Sequence, residues 1–313
     1  MAKDNLLIIG STGWIGTYIT DQILKSKDLF GRIAIFTSLG TAETKAQLFE
    51  GFKEQGVEVI VGDILKLGDL ERAFEGIDVV ISAVGRNIIA EQISWIPLLT
   101  RSPNIKRFFP SEYGTDIEYG PSSVHEKPHQ QKLKVRAALA KSEGFEYTYV
   151  VTGPFAYGFL ARMEKLPEIG SFDVAKKKAT VLGDGRGQVS LTTEPDVGKL
   201  VVKALQHPEA TKNRALKVNS FTTTPLEIVA EFEKQTGGEK WSVDYVPLEK
   251  LRELEEKAWE TGNGTGFTLR RIWAEGGTLY EKRDNGLIDG EETDSLEDAV
   301  RVAIAKQTGH EKL

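Results

Sequence analysis

The first twenty-five residues constrain this chain more than any other stretch. An apolar run, Leu6 to Ile9, leads directly into Gly10-Ser11-Thr12-Gly13-Trp14-Ile15-Gly16, and an amphipathic segment, Thr17 to Lys25, follows. A strand that ends in a G-x-x-G-x-x-G turn and opens a helix begins a βαβ unit suited to a pyrophosphate. Glycine permits the tight turn, lets the backbone approach the phosphates and lets the helix pack close to the sheet. The helix N-terminus adds unpaired N–H groups and a partial positive charge. No Gly-Lys-Ser/Thr is present, which excludes the triphosphate-binding loop.

The pattern that opens here continues through the first half. Short apolar runs at Leu6–Ile9, Ile33–Phe36, Val57–Val61, Val79–Ala83, Arg107–Phe109 and Thr148–Val151 read as strands. The segments between them, Thr17–Lys25, Ala42–Gln55, Leu67–Phe74, Ile88–Leu99 and Lys132–Ser142, read as helices. Strand and helix in alternation predict an α/β Rossmann fold, a doubly wound parallel sheet whose ligands bind at the carboxyl edge. After Pro154 the alternation stops. Helices are expected from Glu194 to Leu205, Pro225 to Thr236 and Leu248 to Trp259, with a last one capped by Asp294 or Ser295 and ending before Gly309. The expected division is therefore a dinucleotide-binding domain over 1–153 and a smaller substrate-binding lid over 154–313, some of which packs back on the sheet. The stretch Thr261 to Gly290 carries no clear period.

Composition narrows the function. At 313 residues and 40% hydrophobic content the chain can bury a sizeable core. A net charge of -6 gives no basic field for nucleic acid, and zero cysteines exclude disulfides, thiolate catalysis and Cys-based metal sites. The amino-terminal apolar run is too short for a signal peptide, and no stretch approaches the roughly 18 to 20 apolar residues of a membrane span. A cytoplasmic protein, monomer or homodimer, with no membrane or nucleic-acid partner is expected. His125 and His129 are four apart, but Pro128 interrupts a helix between them and no further ligand clusters with them, so no metal is expected.

The second strand selects the cofactor. An NAD-specific site places Asp or Glu at its end, bonded to the ribose hydroxyls. Here the strand ends in Thr37 and Ser38, with Lys45 downstream, so a 2'-phosphate meets donors and no acid. NADPH is expected in preference to NADH. Asp63 and Ile64, at the end of the third strand, are expected at the adenine edge; Ala83, Val84 and Gly85, at the end of the fourth, at the nicotinamide ribose.

The glycine loop, Lys106-Arg107-Phe108-Phe109-Pro110-Ser111-Glu112-Tyr113-Gly114, Lys132-Leu133-Lys134-Val135-Arg136 with Tyr147-Thr148-Tyr149-Val150, and Leu182-Gly183-Asp184-Gly185 with Asp196-Val197-Gly198 form a combination. In that combination the chain resembles the atypical short-chain dehydrogenases of the NmrA-like and isoflavone reductase group, which includes the phenylcoumaran benzylic ether reductases. The resemblance implies an oxidoreductase that uses NADPH to reduce a small aromatic, phenylpropanoid-like or secondary-metabolite substrate. It also implies that the leading lysine of the Lys-x-x-x-Arg helix, here Lys132, is the catalytic general acid/base and touches the cofactor. Pro110, Ser111 and Gly153-Pro154-Phe155 join the cofactor set. Lys134, about 200° around the helix from Lys132, cannot face the same site, and periodicity alone does not choose between them. No tyrosine is followed four residues later by lysine, so the ordinary short-chain dehydrogenase pair is missing.

The chain departs from the plant reductases at Thr37-Ser38, where they carry Arg, and at Thr152-Gly153-Pro154-Phe155, where they carry an Asn-Cys-Phe turn. The loop Tyr113 to Gln131, with Tyr119, is more similar to fungal NmrA-like members. Tyr113, His125, Tyr157 and Phe159 are candidate substrate contacts, and Gly183 to Gly187 reads either as an anion site or as a hairpin turn. A different class fits the same cofactor residues: an NmrA-like regulatory protein that senses a dinucleotide and binds NAD(P) without turnover.

Overall fold

The computed structural model describes residues 3–309. Among them the strands are β1 (Leu6–Ile9), β2 (Ile33–Thr37), β3 (Glu58–Val61), β4 (Val79–Ser82), β5 (Arg107–Phe109), β6 (Glu146–Val151), β7 (Ser171–Asp173), β8 (Lys178–Leu182), β9 (Val189–Leu191), β10 (Arg214–Lys217), β11 (Phe221–Thr223) and β12 (Ser242–Val246). The chain groups into two compact units of comparable length. One takes the described residues up to 113 with 130–151 and 197–216; the other takes 114–129, 152–196 and the described residues from 217 onward. Thus 114–129, early in the chain, joins the second unit, and 197–216, late in the chain, joins the first.

The first unit is built on a seven-stranded sheet in the order β10-β6-β5-β4-β1-β2-β3. β1 pairs parallel with both β2 and β4, β2 with β3, β4 with β5 and β5 with β6. All four residues of β1 and of β4 are buried, as they must be when helices cover both faces of a parallel sheet. Each Leu, Ile or Val buried this way stabilises the fold by about 1.5–3 kcal/mol. The strand order reverses between β1 and β4, and at such a switch point the connections leave on opposite faces and open a crevice at the carboxyl edge.

The helices follow the expected segments with informative differences. The first begins at Trp14, as soon as the glycine turn ends, and runs to Lys25. The expected helix over 42–55 is two, Leu39–Thr44 and Ala46–Glu54, broken at Lys45 with φ -118° and ψ 31°. Thr44 Oγ1 bonds back to the Gly40 carbonyl at 2.8 Å just before the break, the local bond by which Thr bends a helix. Helix Gln130–Leu139 buries Lys132, Val135, Arg136 and Leu139, one face at i, i+3, i+4 and i+7, while Lys134 is exposed.

The second unit packs β7, β8 and β12 into a three-stranded sheet and pairs β9 with β11. Phe159, Phe172, Val181, Val189, Phe232 and Trp241 lie in its main core, with Phe172 stacked on Phe232 at 5.4 Å. Helices Pro225–Gln235 and Leu296–Thr308 both start with capping boxes, Thr224 with Glu227 and Ser295 with Asp298, so Ser295 rather than Asp294 is the cap. Gly183 to Gly187 is not a hairpin turn: β8 on one side pairs with β7 and β12, and β9 on the other pairs with β11. Within Thr261 to Gly290 lies a regular helix, Thr265–Ala274. No helix among the described residues is long and apolar enough to cross a membrane.

Candidate active site

The switch point of the first unit gathers most of the residues expected at a dinucleotide. At its centre β1 and β4 end against each other. A Cβ on Gly10, which has φ +87°, would sit 2.6 Å from the Ala83 carbonyl oxygen, and one on Gly16 would sit 2.0 Å from the Gly10 carbonyl oxygen. No side chain fits either place, so the glycines let strand ends and helix start touch. Helix Trp14–Lys25 carries no acidic residue in its first turn, and its N-cap, Gly13, makes no side-chain capping bond. The turn therefore aims backbone N–H dipoles outward without a carboxylate of its own to answer them, which suits an anion. Ser11 and Gly16 are buried, Thr12 and Ile15 half-buried, and Trp14 stands on the crown of the loop, 62% exposed.

Around this centre the other strand ends are tied in by bonds. Lys45 Nζ donates to the Thr12 carbonyl at 2.8 Å, which brings a cation from beyond β2 onto the glycine loop. Thr37 is buried, its carbonyl accepting from Gly62 N–H, and Ser38 Oγ caps the short helix Leu39–Thr44 by accepting from Thr41 N–H. Asp63 accepts from Leu65 N–H, and its own N–H donates to Asp69; Ile64 beside it is half-buried. The Asp63 N–H bond and Arg72 hold the Asp69 carboxyl below the usual carboxylate range. Beyond β4, the Ser111 hydroxyl donates to the Val84 carbonyl at 2.8 Å, and Ser111 N–H donates to Gln92 Oε1 at 2.9 Å. Gln92 is fully buried and sequence reasoning did not single it out; it fixes the loop after β5, where Pro110 is also buried, while Gly85 beyond Val84 is exposed.

Lys132 enters from helix Gln130–Leu139. Its Nζ donates to the Glu112 carbonyl at 2.9 Å and lies 3.9 Å from Glu112 Oε2. The same carboxylate oxygen accepts from Arg136 Nη2 at 2.9 Å, and the Arg136 guanidinium covers the Tyr149 ring at 4.5 Å. All three charged side chains are buried. The shared carboxylate ties the two cations together and holds the lysine nitrogen at a defined point. Next to it Tyr113 is buried with no hydrogen-bond partner for its hydroxyl among the described residues. Burial and the neighbouring Glu112 charge hold that phenol above its usual pKa, so it stays protonated.

The second unit carries the remaining candidates. Gly153 has φ +66°, and a Cβ there would meet the Ser190 carbonyl oxygen at 3.0 Å and the Tyr280 hydroxyl at 3.5 Å. Pro154 is buried, and Phe155 is bridged to Thr192. Phe159 lines a cavity of about 230 Å³ together with Phe172, Leu182, Leu248, Arg270 and Trp273. Tyr157 does not join it. Two residues apart in the short helix Ala156–Phe159, the side chains point about 200° apart, and Tyr157 instead lies under Lys306 at 4.8 Å, its N–H donating to Glu194. His125 is exposed in the turn Ser123–His125, whereas His129 is buried with Nδ1 2.9 Å from the Ser123 carbonyl. No group of three or more His, Asp or Glu among the described residues is arranged to hold a metal ion.

Comparison with known proteins identifies the family. Residues 2–268 match the model of the NmrA-like family. The chain is 32% identical over 298 residues to a phenylcoumaran benzylic ether reductase of Ginkgo biloba, covering 93% of this chain and 94% of that one. It is 35% identical over 260 residues to one of Betula pendula, covering 80% of each. In three dimensions it is similar to the protein AtPrR2 solved with NADP+ and (+)-pinoresinol, with a TM-score of 0.81 over 97% of this chain and 99% of that one at 24% identity, a likeness of fold. The chain belongs to the NmrA-like family, as an isoflavone reductase-like oxidoreductase with a Rossmann fold.

Proposed function

We propose that this protein is an NADPH-dependent reductase that transfers hydride to a small aromatic, phenylpropanoid-like or secondary-metabolite substrate, with Lys132 as general acid/base. One observation carries the reading: Lys132 is turned inward on its helix, its ammonium fixed on the Glu112 carbonyl, in the unit that holds the dinucleotide loop. The residues at the switch point fit the cofactor, because the glycines at 10 and 16 leave no room for a side chain and no acid occupies the first helical turn. Bound NADPH would supply the hydride.

The chain's own residues supply the rest. Hydride delivery to a carbonyl or conjugated acceptor leaves negative charge on the substrate, and the Lys132 ammonium stabilises that charge and passes it a proton. Glu112 and Arg136 hold the lysine in position. Lys45, at the Thr12 carbonyl, supplies a positive charge for a 2'-phosphate beside a β2 end that has no acid. Lys45→Ala is therefore expected to weaken NADPH binding by about tenfold while leaving NADH binding unchanged, as read by fluorescence titration.

The activity itself is tested by following NADPH oxidation over pooled aromatic ketones, enones and benzylic ethers. Substrate-dependent oxidation with one reduced product per NADPH supports the reductase. NADPH binding without oxidation on any pool supports instead a dinucleotide-sensing regulator of the same family.

A further inference from the structure

Two neighbouring arginines on helix Thr265–Ala274 of the second unit are treated in opposite ways. Arg271 is surrounded by acids: its nitrogens lie 2.6 Å from Glu255, 2.8 Å from Glu126 and 3.2 Å from Glu275. Arg270 is the more deeply buried, at 6% exposure, and has no carboxylate among the described residues. Its hydrogen bonds there are two, from Nη1 to the Phe159 carbonyl at 3.3 Å and from Nη2 to the Gly158 carbonyl at 3.1 Å. Its guanidinium lies 4.6 Å from the Phe159 ring centre and 5.4 Å from that of Trp273. Both rings and Arg270 itself line the 230 Å³ cavity.

A guanidinium has five N–H donors, and carbonyls accept its bonds without neutralising its charge. A buried cation left without a counter-ion is unfavourable unless something that visits the site supplies one. Burial alone pulls the Arg270 pKa down to about 10, with no acid opposing it, and it is still cationic at neutral pH. The acid on the cavity wall, Asp184, stands at the exposed rim with Oδ1 accepting from Arg186 N–H. The other lining side chains are largely apolar or aromatic. An empty space of about 150 Å³ already accepts benzene, so about 230 Å³ suits one aromatic ring with a short side chain.

We propose that this cavity binds a single-ring aromatic carboxylate, its ring on Phe159 and Trp273 and its carboxylate on the free N–H groups of Arg270. The proposal rests on the reading of the protein as a reductase of aromatic substrates and narrows that substrate class. Guanidinium and carboxylate match in geometry as well as charge, which an ester or amide of the same shape does not.

Calorimetric titration of the full chain with cinnamate, cinnamamide and methyl cinnamate, with and without NADP+, tests it. Cinnamate should bind at least about tenfold more tightly than the other two. Arg270→Met should bring the three within about twofold, and Arg270→Lys, which keeps the charge without the fork, should retain part of the preference. A merely structural arginine would weaken all three alike and leave their ratio intact. Equal affinities in the wild type, a ratio that survives Arg270→Met, or no binding of any probe overturns the proposal. The wild-type ratio decides the matter even should the Met variant fail to fold. Absence of NADP+ binding would instead overturn the reductase reading, and the cinnamate preference would stand or fall separately.

Discussion

Lys132 in the first unit and Arg270 in the second are buried cations held in different ways. In the first, Lys132 and Arg136 share the buried carboxylate of Glu112, so the cluster is fixed before anything binds. In the second, Arg270 is buried to a similar extent on two carbonyls and two aromatic faces, with no acid paired to it among the described residues. The difference lies in what compensates the charge: a carboxylate of the chain itself in one case, and carbonyl and ring dipoles in the other. A paired cation has its position set by the fold; an unpaired one adds binding energy only when an anion arrives.

Removing the shared acid has the largest expected effect. Glu112→Ala leaves two cations buried together and should lower unfolding stability by about 3–5 kcal/mol, measured by urea denaturation at neutral pH. A loss below about 1 kcal/mol would mean that the pairing is not what holds the cluster. Glu194, a buried acid in the second unit, gives an effect of opposite sign. Burial pushes its carboxyl up to about 7, although it accepts from Tyr157 N–H. Its proton is held more tightly in the folded chain than in the unfolded one, so stability falls as pH rises from about 4.5 to about 7 and stays reduced above. Glu194→Gln removes that loss: melting should match the wild type at pH 4.5 and be stabilised by up to about 3 kcal/mol at pH 8. An equal difference at both pH values would contradict the assignment. Smallest of all is Arg270→Met, which removes an uncompensated charge along with two carbonyl bonds and should alter stability by less than about 1 kcal/mol. A loss as large as that of Glu112→Ala would erase the distinction between the two regions.

How far the sequence carries depends on how local the cause is. The six parallel strands of the first half were legible because each is an apolar run bounded by turn residues, and the glycine loop because only glycine fits between the ends of β1 and β4. Lys45 does reach the loop, but its bond to the Thr12 carbonyl crosses 33 positions and has no sequence signature. The choice of Lys132 over Lys134 needed the resemblance, since a helix face with two buried cations has no apolar stripe to orient it. Helix Thr265–Ala274 was illegible for a definite reason. Its N-cap is Gly264, with no side-chain capping bond, and that glycine is required because a Cβ there would sit 2.4 Å from the Trp259 ring. Arg270 followed it out of sight: in sequence it is one of two adjacent arginines, and only the positions of Glu126, Glu255 and Glu275 tell them apart. Tyr157 and Phe159 looked equivalent until the short helix turned them apart.

Lys132 as a general acid/base performs chemistry; as a structural residue it would merely complete a buried cluster. NADPH oxidation by wild type and Lys132→Ala, on one aromatic substrate that the wild type reduces, separates the two roles when NADPH binding is measured on both. If Lys132 handles the proton, kcat falls by about 10²- to 10⁴-fold in the variant while NADPH still binds. Turnover by the variant at the wild-type rate, with NADPH still bound, would contradict it.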